Sequence, residues 1–219
     1  MLRKLMESMR PDEIVAPPEV EADPIAKAAD WGPLKHGGAS FKTHRLVQES
    51  PQRWLFKATV GAKIFYALFL IIGIVVAIGF VIGLWQDADQ EWTATLLIPI
   101  LGGGVFAGLG GWMLMAGTRP IVFDKTIGWH WKGHRKPTDV FDTNDLKQAV
   151  KLEEIHALQL IREYVRGGRN SSGYYSYELN VILKDSSRLN VVDHGKLKDL
   201  LDDGQALAEF LGCPLYRSV

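Results

Sequence analysis

Two long runs of the chain carry no charged side chain. Residues 64–85 read IFYALFLIIGIVVAIGFVIGLW, and residues 92–118 read WTATLLIPILGGGVFAGLGGWMLMAGT. Only QDADQE, residues 86–91, lies between them. About 20 apolar residues, each rising about 1.5 Å in a helix, span the roughly 30 Å hydrocarbon core of a bilayer. Lipid offers no hydrogen bonds, so a spanning segment must satisfy its own backbone, and each run is expected to be helical. The short link forces two such helices to lie antiparallel and adjacent. A transmembrane hairpin over residues 63–118 is therefore predicted.

The charges around the runs give the expected orientation. Lys42, Arg45, Arg53, Lys57 and Lys63 precede them, and Arg119, Lys125, Lys132, Arg135 and Lys136 follow. The link holds Asp87, Asp89 and Glu91 and no Lys or Arg. Positive flanks stay in the cytoplasm, so both termini are expected there, with the link outside. Trp85 and Trp92 bracket the link as interfacial anchors would. In a bacterium this places a multi-pass protein in the inner membrane. The first thirty residues lack the apolar core of a signal peptide. Cys213 is the single cysteine, which excludes an intramolecular disulfide and fits a reducing compartment. With 25 basic and 25 acidic residues, the total does not indicate a nucleic-acid binder.

Glycine makes up six of the ten residues in GGGVFAGLGG, 102–111. In water each would cost a helix about 1 kcal/mol against alanine. In lipid, helices associate by close van der Waals approach, which small residues permit. Gly104 and Gly108 lie on one face, with Gly103, Ala107 and Gly111 beside them. The first run offers Gly73, Ala77, Gly79 and Gly83. These nine positions are the expected helix-packing residues, for the hairpin itself and for a further helix from another subunit or partner. Neither run contains Asp, Glu, His, Lys or Arg, which argues against a transport path.

Outside the runs, four regions follow. Residues 1–38 are punctuated by Pro11, Pro17, Pro18, Pro24 and Pro33 and are expected to be flexible. Residues 39–62 read as short strands around a turn at ESPQ. Residues 119–219 begin with period-two segments: PIVFD, IGWHWKG, ALQLIREYV, YYSYELNVILK and RLNVV. In the fourth of these Tyr175, Tyr177, Leu179, Val181 and Leu183 share a face, and the pattern predicts an antiparallel sheet. The period then changes, and Leu197, Leu200, Leu201, Leu207, Ala208 and Leu211 fall at helical spacing. Asp193 is the expected cap of that helix, with Gly212 and Pro214 closing it.

Antiparallel strands followed by one amphipathic helix, carried by RPIVFDKTIGWHWKG, LEEIHALQLI, YELNVILKDSSRLNVVDHG and DGQALAEFLG, resemble the pleckstrin-homology-like (PH-like) domains of bacterial membrane-anchored proteins. The resemblance covers about 100 residues and implies a non-enzymatic scaffold or regulator. It also raises the expectation that residues 41–58 complete the same sheet, making the hairpin an insertion. The expected fold is thus membrane α+β: a two-helix transmembrane hairpin plus a cytoplasmic antiparallel sheet with a C-terminal amphipathic helix.

No constellation in the sequence points to catalysis. His130 and His134 are four apart, but in strand and turn they do not share a face, so neither a metal nor another cofactor is expected. His156 and His194 are isolated, and the acidic DLLDD, with Asp199, Asp202 and Asp203, reads as a solvated helix face. RGGRNSSG, residues 166–173, lacks the lysine and spacing of a phosphate-binding loop. Lys132, Arg135, Lys136, Arg166 and Arg169 are the candidate contacts for anionic lipid or a partner. The expected function is a non-catalytic adaptor or assembly/regulatory protein. Its partners are membrane lipid and either a membrane protein or further copies of itself. An oligomeric, pore-forming effector is the alternative.

Overall fold

The computed structural model describes residues 16–86, 94–137, 149–168 and 172–219, and side chains within the helices at 84–86 and 94–100 lie outside that description. It is mixed α+β with two sheets and divides into two units, residues 58–119 and the remainder of the chain.

The larger unit opens with a 3-10 turn, Pro18–Ala22, and a short helix α1, Pro24–Ala28. Strands β1 (His44–Ser50) and β2 (Arg53–Ala58) follow around the turn at Pro51–Gln52, where the sequence places one. After the apolar insertion come β3 (Ile121–Asp124), β4 (Trp129–Lys132) and β5 (Val150–Lys151). These five strands form sheet A in the order β1-β2-β3-β4-β5. Antiparallel pairing of β2 with β3 sets Phe56 opposite Ile121 and Trp54 opposite Phe123. The strands before the apolar runs therefore share a sheet with those after them. The chain leaves one strand, makes two helices, and returns as that strand's neighbour.

Sheet B holds β6 (Ile155–Val165), β7 (Tyr174–Leu183), β8 (Arg188–His194) and, on the far side of β6, the parallel β9 (Leu215–Ser218). Between β8 and β9 runs helix α4, Leu197–Leu211. Its cap is Lys196, and no side chain bonds to the free amides; Asp193, the expected cap, lies one strand turn earlier and bonds to Asn190 instead. Gly212 closes the helix as expected, at φ 77°, a left-handed conformation that a Cβ would strain.

One core joins both sheets and α4. Phe56, Ile121 and Phe123 come from sheet A, Leu158, Leu160, Leu179 and Val181 from sheet B, and Leu200, Leu207 and Ala208 from the helix. The stripe at helical spacing thus packs on the sheets, as its periodicity requires.

The other face of sheet B is not left to water. Instead, residues 16–43 cross it as a strap, and Val20, Ala26, Ala29 and Trp31 bury against Ala157, Ile161 and Ile182. This corrects the expectation of a flexible segment over 1–38 for its described part. Prolines rule out a long helix there but not tertiary packing. Residues 1–15 lie outside the described residues.

The smaller unit consists of helices α2 (Val60–Gln86) and α3 (Ala94–Gly117). Within α2, Val60–Gly83 is long and apolar enough to cross a membrane, and only 11% of its most apolar window is buried. The second apolar run supplies a shorter stretch, Leu101–Gly117. The two helices run antiparallel: Gly73 meets Gly103 and Ala107, Leu70 meets Gly110, and Tyr66 meets Gly117. A Cβ on Gly73 would fall on the Ala107 amide nitrogen, and one on Gly110 on that of Leu70. On Gly103 it would lie 2.7 Å from the Ala77 nitrogen. Of the expected packing residues, Gly73, Ala77, Gly103 and Ala107 make this contact. Gly111 reaches only the Leu70 side chain, at 3.9 Å. Gly79, Gly83, Gly104 and Gly108 are not part of it among the described residues, where a Cβ on any of them meets nothing within 4 Å. The physical reason is angular: Gly104 and Gly108 sit one residue round the helix from Gly103 and Ala107 and turn outward.

Candidate functional site

The most densely bonded polar surface of the larger unit is the strap-covered face of sheet B. Alternation places Gln159 and Glu163 of β6, Ser176, Glu178 and Asn180 of β7, and Arg188, Asn190 and Asp193 of β8 on it, by the registers Gln159–Asn180, Glu163–Ser176, Glu178–Asp193 and Asn180–Asn190. Gln159, Ser176, Glu178 and Asn180 are buried. Buried polar atoms need partners, because an unsatisfied one costs about 1–3 kcal/mol.

The strap's main chain supplies most of them. The amides of Leu34 and Lys35 donate to the Glu178 carboxylate, from 3.0 to 3.3 Å. The Gly37 amide donates to Glu163 at 3.2 Å. In the opposite sense, Gln159 Nε2 donates to the Asp30 carbonyl at 3.0 Å, and Arg188 to the Gly32 carbonyl at 2.8 Å. Tyr174 and Ser176 hydroxyls donate to the carbonyls of Gly38 and Ala39, at 2.8 and 3.1 Å. Gly38 is obligatory there, since a Cβ would collide with the Ser176 hydroxyl. Arg188 also bonds Gln159 Oε1 at 2.9 Å and pairs with Asp30 at 3.2 Å.

A carboxylate fastens the strap's leading end. Asp23 accepts from the Ile25 and Ala26 amides, capping α1, and from His156 Nε2 at 2.7 Å and the Tyr216 hydroxyl at 2.8 Å. Burial acts to raise its pKa, but the bonds from Ala26, His156 and Tyr216 outweigh burial and hold it at about 2. His156, expected to be isolated, is thus a partner of the strap.

Other ionisable groups sit in the fold rather than at a reactive centre. His130 is fully buried, stacks on Phe123 with ring centroids 4.2 Å apart, and donates to the Val122 carbonyl at 3.0 Å. Burial lowers its pKa to about 4. His194 is also buried; its Nδ1 accepts from the Lys196 amide, its Nε2 has no hydrogen-bond partner among the described residues, and burial lowers its pKa to about 4. Asp193 is pushed to about 6 by burial and by Glu178 opposite it. Burial likewise raises the Cys213 thiol to about 11, the reverse of what a nucleophile needs. The acidic helix face is not uniformly solvated: Asp203 accepts from the Leu46 amide at 3.1 Å, tying α4 to β1, and Asp199 pairs with Lys42 at 3.2 Å. Among the described residues, no group of three His, Cys, Asp or Glu side chains could hold a metal.

These shifts set an acid response. A depressed folded pKa contributes stability above the unfolded value that is lost as pH falls, so His130 and His194 weaken the fold between about pH 6.5 and pH 4. The fully buried His130 contributes up to about 3 kcal/mol of that loss. Asp193, raised to about 6, acts oppositely; its contribution is full below the unfolded pKa of 3.8 and is lost as pH rises through 6. Thermal unfolding followed by tryptophan fluorescence is expected to show Tm falling from pH 6.5 to 4.5, with a shallower fall in His130→Gln. An unchanged slope in that variant would refute the assignment.

The basic residues singled out from the sequence do not converge on this face. Lys132 ends β4, half-buried, and acts electrostatically on Asp193 and His130. Arg135 and Lys136 are exposed beyond it, and Arg166 is exposed just past β6. Arg169 lies outside the described residues. The sequence did hold a signal for the polar face: in YYSYELNVIL the residues alternating with Tyr177, Leu179 and Val181 include Ser176, Glu178 and Asn180, a polar stripe that would equally suit water.

No protein-family model, no curated protein and no solved structure matches this chain.

Proposed function

We propose that the chain is a membrane-anchored, non-catalytic adaptor. Its two apolar helices form a transmembrane hairpin, and its α+β unit binds a protein partner on the cytoplasmic side of a bacterial inner membrane. One observation carries this reading: α2 exposes Ile64, Ile72, Val75, Ile78 and Ile82 along its length, although it interrupts a well-packed sheet. A core helix of a water-soluble protein would be mostly buried. The link without Lys or Arg and the basic flanks support placing both termini in the cytoplasm.

Support for a PH-like unit is the order of its parts, a meander of strands in sheet A, a second meander β6-β7-β8, and α4 packed against both. It departs from that pattern in the parallel β9 and in the strap. The adaptor role draws on the structural engagement of Asp23, His130, Glu178 and Asp203, each held by hydrogen bonds of the fold.

Extraction tests the anchor. After alkaline carbonate washing the protein is expected to remain in the membrane pellet and to be released by mild detergent. Release by carbonate alone would overturn the reading. Purification in that detergent is expected to bring a membrane protein along in stoichiometric amount, and recovery of the chain alone would count against the adaptor role.

A further inference from the structure

Most of the bonds between strap and sheet B go to the strap's main chain, beside side-chain bonds of Asp23, Asp30 and His36. Amides of Leu34, Lys35 and Gly37 and carbonyls of Asp30, Gly32, Gly38 and Ala39 are each met by a side chain of the sheet. Such bonds read the course of a backbone, here bent at residues 34–37 with Gly37 at φ 81°, and not its side chains. Selectivity comes from Trp31, buried near Ala157, Ile161 and Ile182, and from Asp30, paired with Arg188. A face meant only for permanent packing gains nothing from polar groups, which cost stability unless every one is met. Polar groups do give one property: when the cover lifts, water satisfies them, whereas an uncovered apolar face would aggregate.

We propose that this face is a peptide groove occupied by the chain's own strap, and that a segment of a protein partner able to take the strap's bent course, with a tryptophan preceded by a carboxylate residue, displaces the strap. The proposal deepens the adaptor reading, on which it rests, by giving the partner a docking surface and a chemistry. Displacement exchanges one set of backbone bonds for a like set, so the change in stability is small and the strap sets the threshold for binding.

The test uses the full chain in detergent micelles and, as probe, a fluorescent synthetic peptide of residues 18–40. Trp31→Ala in the chain weakens the resident strap. Fluorescence anisotropy is expected to show the peptide binding this variant roughly tenfold or more tighter than the unaltered chain. A peptide carrying the same Trp31→Ala change should not bind. Absence of saturable binding to a folded Trp31→Ala chain overturns the proposal. Should that variant fail to fold, hydrogen exchange of the unaltered chain decides. The Leu34, Lys35 and Gly37 amides are expected to exchange roughly tenfold or more faster than those of β6, through an opening that leaves β6 closed. Equal rates, through one global opening, overturn it. Either failure leaves carbonate resistance and co-purification untouched, so it is distinguishable from failure of the adaptor reading.

Discussion

Gly73→Leu is expected to abolish cross-linking between the two apolar helices, while Gly104→Leu leaves it intact. The assay places cysteines at Phe69 and Phe106, whose rings stack with centroids 6.4 Å apart, in a Cys213→Ser background, and bridges them with a short bis-maleimide. At Gly73 the helices touch backbone to backbone, and even a methyl group would occupy the position of the Ala107 amide. A helix backbone cannot yield as a side-chain tip can, so the helices must separate along several turns. Overpacking in a soluble core costs about 1–3 kcal/mol, and a backbone collision lies at or above the top of that range. Cross-link yield should fall roughly tenfold or more. Leucine at Gly104 meets open space. Equal yields from the two variants would show that the helices do not meet along Gly73, Gly103 and Gly110.

The second large effect is expected at Glu178. Glu178→Ala removes the acceptor for two strap amides and leaves them facing a buried, apolar methyl group. Hydrogen bonds to a charged group contribute about 1.5–3 kcal/mol each, and a stranded donor adds its own desolvation cost. Exchange of the Leu34 and Lys35 amides should accelerate by about two orders of magnitude, which corresponds to about 3 kcal/mol. Glu178→Gln keeps one acceptor oxygen and should fall between. If Glu178→Ala left both amides protected, the carboxylate would not be what holds the strap. The variant also removes the like charge facing Asp193, so the Asp193 pKa should move down from about 6. A carboxyl-selective NMR titration reads that shift independently of strap opening.

How far the sequence could be read depends on where each contact lies along the chain. Helix α4 was legible because its stripe, from Leu197 to Leu211, and its Gly212 stop are local signals. Strand β7 was half legible. Period two identifies the apolar face through Leu179 and Val181, but Ser176, Glu178 and Asn180 look the same whether they meet water or a strap. The strap itself had no period to detect. Its order comes from bonds such as Leu34 to Glu178 and Asp23 to His156, which join residues far apart in sequence. The glycines fell between these cases. Small residues at four-residue spacing announce a close helix contact, yet Gly104 and Gly103 differ by only one step of rotation. A single helix does not reveal which side its neighbour will take.

The pairing of Phe56 with Ile121 has a consequence for how the protein is made. Strand β2 leaves the ribosome long before β3, and both apolar helices are synthesised in between. Until β3 arrives, the inner edge of β2 is an unpaired row of amides and carbonyls with Leu55 and Phe56 still in water. The entropy of closing so long a loop grows only slowly with its length, so the delay is one of timing more than of equilibrium cost. Sheet A therefore cannot close until both apolar helices have been made. On the proposed transmembrane reading, the fold of the larger unit thereby certifies completed insertion, and a chain stalled halfway would present quality-control machinery with an open strand edge in place of a finished domain.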